Sequence, residues 1–163
     1  MSEDVNASRI LPDESVLLAA NERALRALYE EYARQLPQHA AFWLGMAAEE
    51  ELHAEWIEEL GAALTTAQTP RPRFKVEAIL TFSDLLREQR AYARQGTTMA
   101  AAVTNAYYLE ISLMERRFFE QLPQQSPEVA RVLASLKKET EQHVRKTRDA
   151  LTRFGNQSAA DTQ

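Results

Sequence analysis

Apolar residues recur along this chain at steps of three and four over five long stretches, the spacing that lines them up on one face of an α-helix. The pattern predicts a first helix from about Asp13 to Leu36, entered through Pro12-Asp13-Glu14, whose acids suit the positive end of the helix dipole. Pro37 separates it from a second helix reaching about Ala63. Thr69-Pro70-Arg71-Pro72-Arg73 reads as a loop, because prolines and the residues before them resist helix. A third helix runs from about Val76 to Arg94 and ends near Gly96; a fourth runs from about Thr97 to Leu122, before Pro123. Ser126-Pro127-Glu128 supplies an N-cap, a proline at the first helical position and an early acid for a fifth helix, which reaches about Phe154 and stops at Gly155. Residues 1–12 and 155–163 are polar and small, and are expected to fray from a helical domain over 13–154.

Four of the five stripes break near mid-length. The first reads Leu18, Glu22, Leu25, Tyr29, Tyr32, Leu36, with Glu22 where a leucine is expected. The second reads Trp43, Met46, Glu50, His53, Ile57, Leu60; the fourth Ala100, Val103, Tyr107, Glu110, Met114, Phe118; the fifth Val129, Leu133, Leu136, Thr140, His143, Thr147, Leu151. The lengths pair the first helix with the second and the fourth with the fifth as hairpins, joined by a long crossover that contains the third. The fold class is therefore all-α, a four-helix bundle of ferritin-like topology. An up-down bundle of five helices is the rival. In antiparallel hairpins the four breaks fall at one level of the core, and the two hairpins read as a diverged internal repeat.

Glu50-Glu51-Leu52-His53 is a Glu-x-x-His motif, and Thr140-Glu141-Gln142-His143 is the same motif with threonine for glutamate. A carboxylate and an imidazole three residues apart project about 60° apart from one helix face. Burying an isolated carboxylate costs several kcal/mol, so Glu22, Glu50 and Glu110 on core faces need protonation, a basic partner or a cation. No Arg or Lys falls on the stripes near that level, which favours the cation. Carboxylate oxygens with imidazole nitrogens suit Fe, Mn or Zn.

Composition narrows the classes further. At 163 residues the chain fits one domain with a real core, and its many Ala, Leu, Glu and Arg agree with helix. The net charge of -5 is mild and mixed, which argues against nucleic acid as a partner. The absence of Cys excludes disulfides and thiolate-bound metals. No signal peptide and no membrane span are read, so a cytoplasmic setting without membrane partners is expected.

Three stretches carry a resemblance to the rubrerythrin branch of the ferritin-like superfamily: Asn21-Glu22 to Tyr29-Glu30-Glu31, Ala48-Glu49-Glu50-Glu51-Leu52-His53-Ala54-Glu55, and Leu109-Glu110-Ile111-Ser112 through Glu115-Arg116-Arg117-Phe118-Phe119. The likeness spans roughly residues 15 to 152. It implies Glu22, Glu50, His53, Glu110 and His143 as ligands, with one Glu of each Glu-x-x-His bridging two irons. Glu50 fills that role; Thr140 cannot. The resemblance thus implies two Fe per chain if the site is intact, with one metal or none as the alternatives. Glu139 becomes a substitute ligand if the fifth helix carries a π-bulge, and Glu115 is turned too far from Glu110. The rubredoxin module of the family is missing, so peroxidase activity would draw on an external electron donor.

Each residue also has a plain structural reading. His143 can be a core histidine bonded to Glu22 or Glu50, and Glu22 and Glu110 can pair with arginines at the stripe edge. His39 reads as a surface residue. Tyr29, Tyr32, Tyr107 and Tyr108 read as core aromatics, one of which can bond a ligand carboxylate. The acidic run from Glu49 to Glu59 and the basic residues from Lys137 to Lys146 read as solvated faces that attract one another. The leading function is a non-haem carboxylate-metal protein that reduces peroxide or oxidises Fe²⁺ in redox defence or iron handling. The alternatives are a degenerate bundle acting as an interaction scaffold, and a ferroxidase cargo role in an encapsulated assembly. A homodimer is the default assembly.

Overall fold

A computed structural model describes residues 14–66, 76–112 and 127–155. Among these lie five α-helices: α1 (Glu14–Gln35), α2 (Ala40–Thr66), α3 (Val76–Ala93), α4 (Met99–Ser112) and α5 (Pro127–Phe154), with a 3₁₀ turn over Pro37–His39. The described residues contain no strand, and no helix among them is long and apolar enough to cross a membrane. The Pro12-Asp13 entry, the loop around Pro70 and Pro72, the stretch from 113 to 126 with Met114, Glu115 and Phe118, and Ser126 lie outside the described residues.

The direction of each helix follows from which apolar cluster its ends enter. One cluster gathers Leu18, Ile57, Leu60, Leu64, Ile79, Val132 and Leu136. The other gathers Leu25, Tyr29, Tyr32, Trp43, Met46, Leu86, Met99, Val103 and Ala150. Helices α1 and α5 therefore run from the first cluster to the second, and α2 and α4 run the opposite way. α2 ends beside the first cluster while α4 begins beside the second, so the chain must travel back between them. α3 makes that journey, from Ile79 to Ala93, and its 18 residues span about 27 Å. Two antiparallel hairpins joined by a helical crossover result, the ferritin-like arrangement rather than the five-helix up-down rival.

Local chemistry sets the joints. The Asn21 side-chain amide donates to the Ile79 carbonyl at 3.2 Å, tying the crossover to α1. Gly96 has φ 111, a left-handed conformation that L side chains disfavour, and its N–H reaches the Ala93 carbonyl at 3.0 Å to close α3. The Thr98 hydroxyl then accepts the Ala101 N–H at 3.2 Å and caps α4. Outside the bundle, Arg23 spans to Glu51 (3.1 Å) and Glu58 (2.6 Å), and Arg26 to Glu51 (2.6 Å), fastening α1 to α2.

Gly61 on α2 packs directly against Ser15 of α1. A Cβ placed there would lie 2.7 Å from the Ser15 Cβ. Gly61→Ala is therefore expected to lower stability by about 1–3 kcal/mol, read from denaturant unfolding. An unchanged midpoint would mean that the helices part without strain.

Most of the expected stripes are buried as read. All six positions of the first stripe, Leu36 just beyond α1 included, and all six of the second are buried. Three expectations need correction. On α4, Ala100 and Tyr107 are half-buried, and the buried face is Met99, Ala102, Val103, Ala106, Leu109 and Glu110. Tyr108 is not a core aromatic but 59% exposed, since it lies on the opposite side of α4 from Ala106 and Glu110. His39 is half-buried rather than superficial, its ring edge-on to Phe154 at 5.0 Å.

Candidate metal centre

Between the two apolar clusters lies a single polar layer. Glu22 sits one turn from both Leu18 and Leu25 on α1, and Glu50 and His53 lie between Met46 and Ile57 on α2. Glu110 comes from α4, and Thr140 and His143 follow Leu136 on α5. Glu50, Glu110 and His143 are 0% exposed, Glu22 1% and His53 4%, so the five residues singled out by their stripes do share one depth of the core.

Their atoms meet. His53 Nδ1 lies 3.2 Å from Glu50 Oε2 and 3.7 Å from Glu22 Oε2. His143 Nδ1 lies 3.0 Å from Glu50 Oε1 and 3.5 Å from Glu110 Oε1. The two imidazole centroids are 4.6 Å apart, with Glu50 presenting one oxygen to each ring. The ion pairs of Glu50 and Glu110 among the described residues are all with histidine.

Two further residues orient the cluster. The Tyr29 hydroxyl donates to Glu110 Oε1 at 2.6 Å, so Tyr29 is the phenol that meets a cluster carboxylate. Burial, with Glu110 alongside, pushes its pKa well above the ordinary phenol value and keeps it a donor. Glu49, by its sequence part of a solvated acidic face, belongs to the cluster instead. Its Oε2 lies 2.7 Å from His143 Nε2, and Lys146 Nζ bonds both Glu49 oxygens. The hydrogen bond from His143 pulls the Glu49 carboxyl down to about 2, with Lys146 adding to the effect. The expected attraction between the acidic face of α2 and the basic run from Lys137 to Lys146 is visible in this pair, and Arg131, outside that run, also reaches Glu59 at 2.9 Å. The signal for Glu49 was present: a second acid directly before Glu50, and a lysine three residues after His143.

Thr140 is buried in the place its motif assigns, and its hydroxyl donates to the Leu136 carbonyl of its own helix at 2.9 Å. Glu139 does not enter the cluster. It is half-buried, and its Oε1 accepts from the Gln142 side chain at 3.4 Å. Regular α-helix from Pro127 to Phe154 leaves no π-bulge to swing it inward.

Burial disfavours a charged ring, yet both histidines are raised. His53 is pushed up to about 10 because the carboxylates of Glu22 and Glu50 outweigh desolvation. His143 is pushed up to about 12 in the same way by Glu110, Glu49 and Glu50. Glu110, though fully buried, is lowered, because bonding to His143 and Tyr29 outweighs its desolvation. Without a metal, then, imidazolium rings neutralise much of the buried negative charge.

The donor set also fits a metal ion. Glu50, His53 and His143 each offer one ligand atom, all within 4.8 Å of one another. Two donors facing each other across one ion at about 2.0–2.2 Å each would stand about 4 Å apart, a small contraction. His143 Nδ1 and Glu50 Oε1 are close but lack hydrogen-bond alignment, and His53 Nε2 and Glu110 Oε2 also have no hydrogen-bond partner among the described residues. Buried polar atoms without partners are what a cation would satisfy, once it displaces the ring protons.

Comparison with curated proteins and with solved structures returned no match. The family model Rubrerythrin matches residues 19–151, a range that holds all five clustered residues together with Tyr29, Glu49 and Thr140. By that match over most of its length, the chain belongs to the rubrerythrin family.

Proposed function

We propose that this protein binds iron at the Glu50, His53 and His143 cluster and serves peroxide reduction or Fe²⁺ oxidation, in oxidative-stress defence or iron handling. The observation that carries the reading is the buried meeting of two imidazoles on one carboxylate, with polar atoms there that have no hydrogen-bond partner among the described residues. Iron, when bound, would supply the electrons for peroxide reduction, each Fe²⁺ giving one electron and becoming Fe³⁺, so that two Fe²⁺ and two protons would account for one H₂O₂ taken to two waters. The chain's own groups hold and screen it. Glu22, Glu50 and Glu110 provide negative charge, and His53 and His143 provide neutral nitrogens once deprotonated. Glu49 fixes the far nitrogen of His143 so that Nδ1 faces Glu50. Tyr29 holds one Glu110 oxygen, and the other has no hydrogen-bond partner among the described residues. The apolar layers on both sides keep bulk water out. Sustained turnover draws on an external electron donor, and a homodimer in a cytoplasmic setting is part of the same proposal. Mn or Zn would fit the donors but would not supply the Fe²⁺ chemistry.

The test is anaerobic loading with Fe²⁺, desalting, and addition of H₂O₂ in substoichiometric steps. Retained iron that is oxidised at two Fe²⁺ per peroxide is expected. Iron content no higher than in a non-binding control would count heavily against the reading.

One observation favours a scaffold without metal: the histidine rings lie 3.0–3.5 Å from the buried carboxylates, where as imidazolium ions they would compensate them. On that reading Fe²⁺, Mn²⁺ and Zn²⁺ leave the melting temperature unchanged, whereas a binding site raises it with cation concentration.

A further inference from the structure

Two ions held side by side in a protein lie about 3.5–4 Å apart, where the repulsion of two divalent charges is fourfold that of two unit charges. Carboxylates that bridge the pair are what make such closeness tolerable. In bundles built for two ions, each of two helices gives a Glu and each of the other two gives Glu-x-x-His. This chain supplies Glu22, Glu110, Glu50-x-x-His53 and only His143 of the last pair. Thr140 is turned to its own backbone, and Glu139 is held off by Gln142.

The two halves of the repeat therefore differ in kind. On α2, Glu50 offers an oxygen to each ring, and the acid before it, Glu49, anchors the opposite histidine. On α5, the position matching Glu50 is a neutral hydroxyl. The acid before it leaves His53 Nε2 with no hydrogen-bond partner among the described residues. The three groups whose ligand atoms do converge, two imidazoles and one carboxylate, form a complete face for a single ion with positions left open.

We propose that the cluster holds one divalent cation, through Glu50, His53 and His143 with a flanking carboxylate, rather than the pair of ions that the resemblance implies. Thr140 is the residue that excludes the second ion. This rests on the metal-binding reading above and goes beyond it in nuclearity.

The experiment is anaerobic titration of the full chain with Co²⁺, followed by elemental analysis and electron paramagnetic resonance, for the native sequence and for Thr140→Glu. The native protein is expected to bind one Co²⁺ per chain with the signal of an isolated ion. Thr140→Glu is expected to bind two, with the signal diminished by coupling between them. Two coupled ions in the native protein would overturn the single-ion proposal and leave the metal-binding reading standing. No Co²⁺ in either protein would sink both. One ion in a folded Thr140→Glu would overturn the role given to Thr140. If that variant fails to fold, the stoichiometry and spectrum of the native protein still decide the nuclearity.

Discussion

Glu50→Gln is expected to weaken binding of a divalent cation by at least about 100-fold, and to destabilise the metal-free protein by about 3–5 kcal/mol. Glutamine keeps the size of the side chain, so the loss is one of charge rather than of packing. Glu50 presents one carboxylate oxygen to each imidazole, at 3.2 Å and 3.0 Å. Removing its charge leaves two buried rings facing each other at 4.6 Å without the carboxylate they share. Breaking a buried pair by neutralising one partner is costly because the other stays buried and charged. Calorimetric titration with Co²⁺ or Fe²⁺ gives the first figure, and urea unfolding of the metal-free protein gives the second. A variant that binds as tightly as the native chain would remove Glu50 from the centre. A variant that loses binding but not stability would mean that the rings are not held by its charge.

The second large effect is in pH. His53 and His143 are raised from 6.5 to about 10 and about 12 in the folded protein. Their stabilisation of the metal-free fold is thus fully present below pH 6.5, and it is lost as pH climbs toward those raised values. Glu49 works in the opposite sense. Lowered from 4.5 to about 2, it contributes above pH 4.5 and loses that contribution as the solution becomes more acidic. The metal-free protein is therefore expected to be most stable between roughly pH 4.5 and 6.5. A cation requires neutral imidazole nitrogens and competes with the same protons, so its stabilising effect grows with pH while the metal-free fold weakens. Melting curves with and without Zn²⁺ between pH 5 and 9 check both trends. A metal-free melting temperature that climbs steadily from pH 6.5 to 9 would contradict the charge state of the rings.

The sequence disclosed the centre more readily than its surroundings. On α1 and α2 the apolar stripes are strong, and a glutamate or histidine inside them stands out against leucine, tryptophan and isoleucine on either side. Antiparallel pairing then places those breaks at a common depth, and Glu22, Glu50 and His53 do meet. α4 was harder to orient. Its first turn is Met-Ala-Ala-Ala-Val, and alanine fits a core or a surface equally well, so periodicity did not separate Ala100 from Ala102. Tyr107 and Tyr108 were assigned by residue type, whereas helix rotation decided their exposure. Glu49 escaped for a different reason: it lies one position off the stripe, half-buried, where an acid ordinarily faces water. Only the arrival of α5, with His143 and Lys146 on one edge, gives it a partner. That α3 packs along α1 also depends on where the bundle has room, a matter no local pattern records.

Glu49 and His143 stand 94 positions apart in a chain that has no cysteine to cross-link it. A cation gripped by Glu50 and His143 would act as a reversible staple between the first hairpin and the last helix, closing a long loop much as a disulfide does. Unlike a disulfide, its strength would follow the free metal concentration rather than the thiol balance of the surroundings. The fold would then loosen or tighten with the supply of the ion it handles.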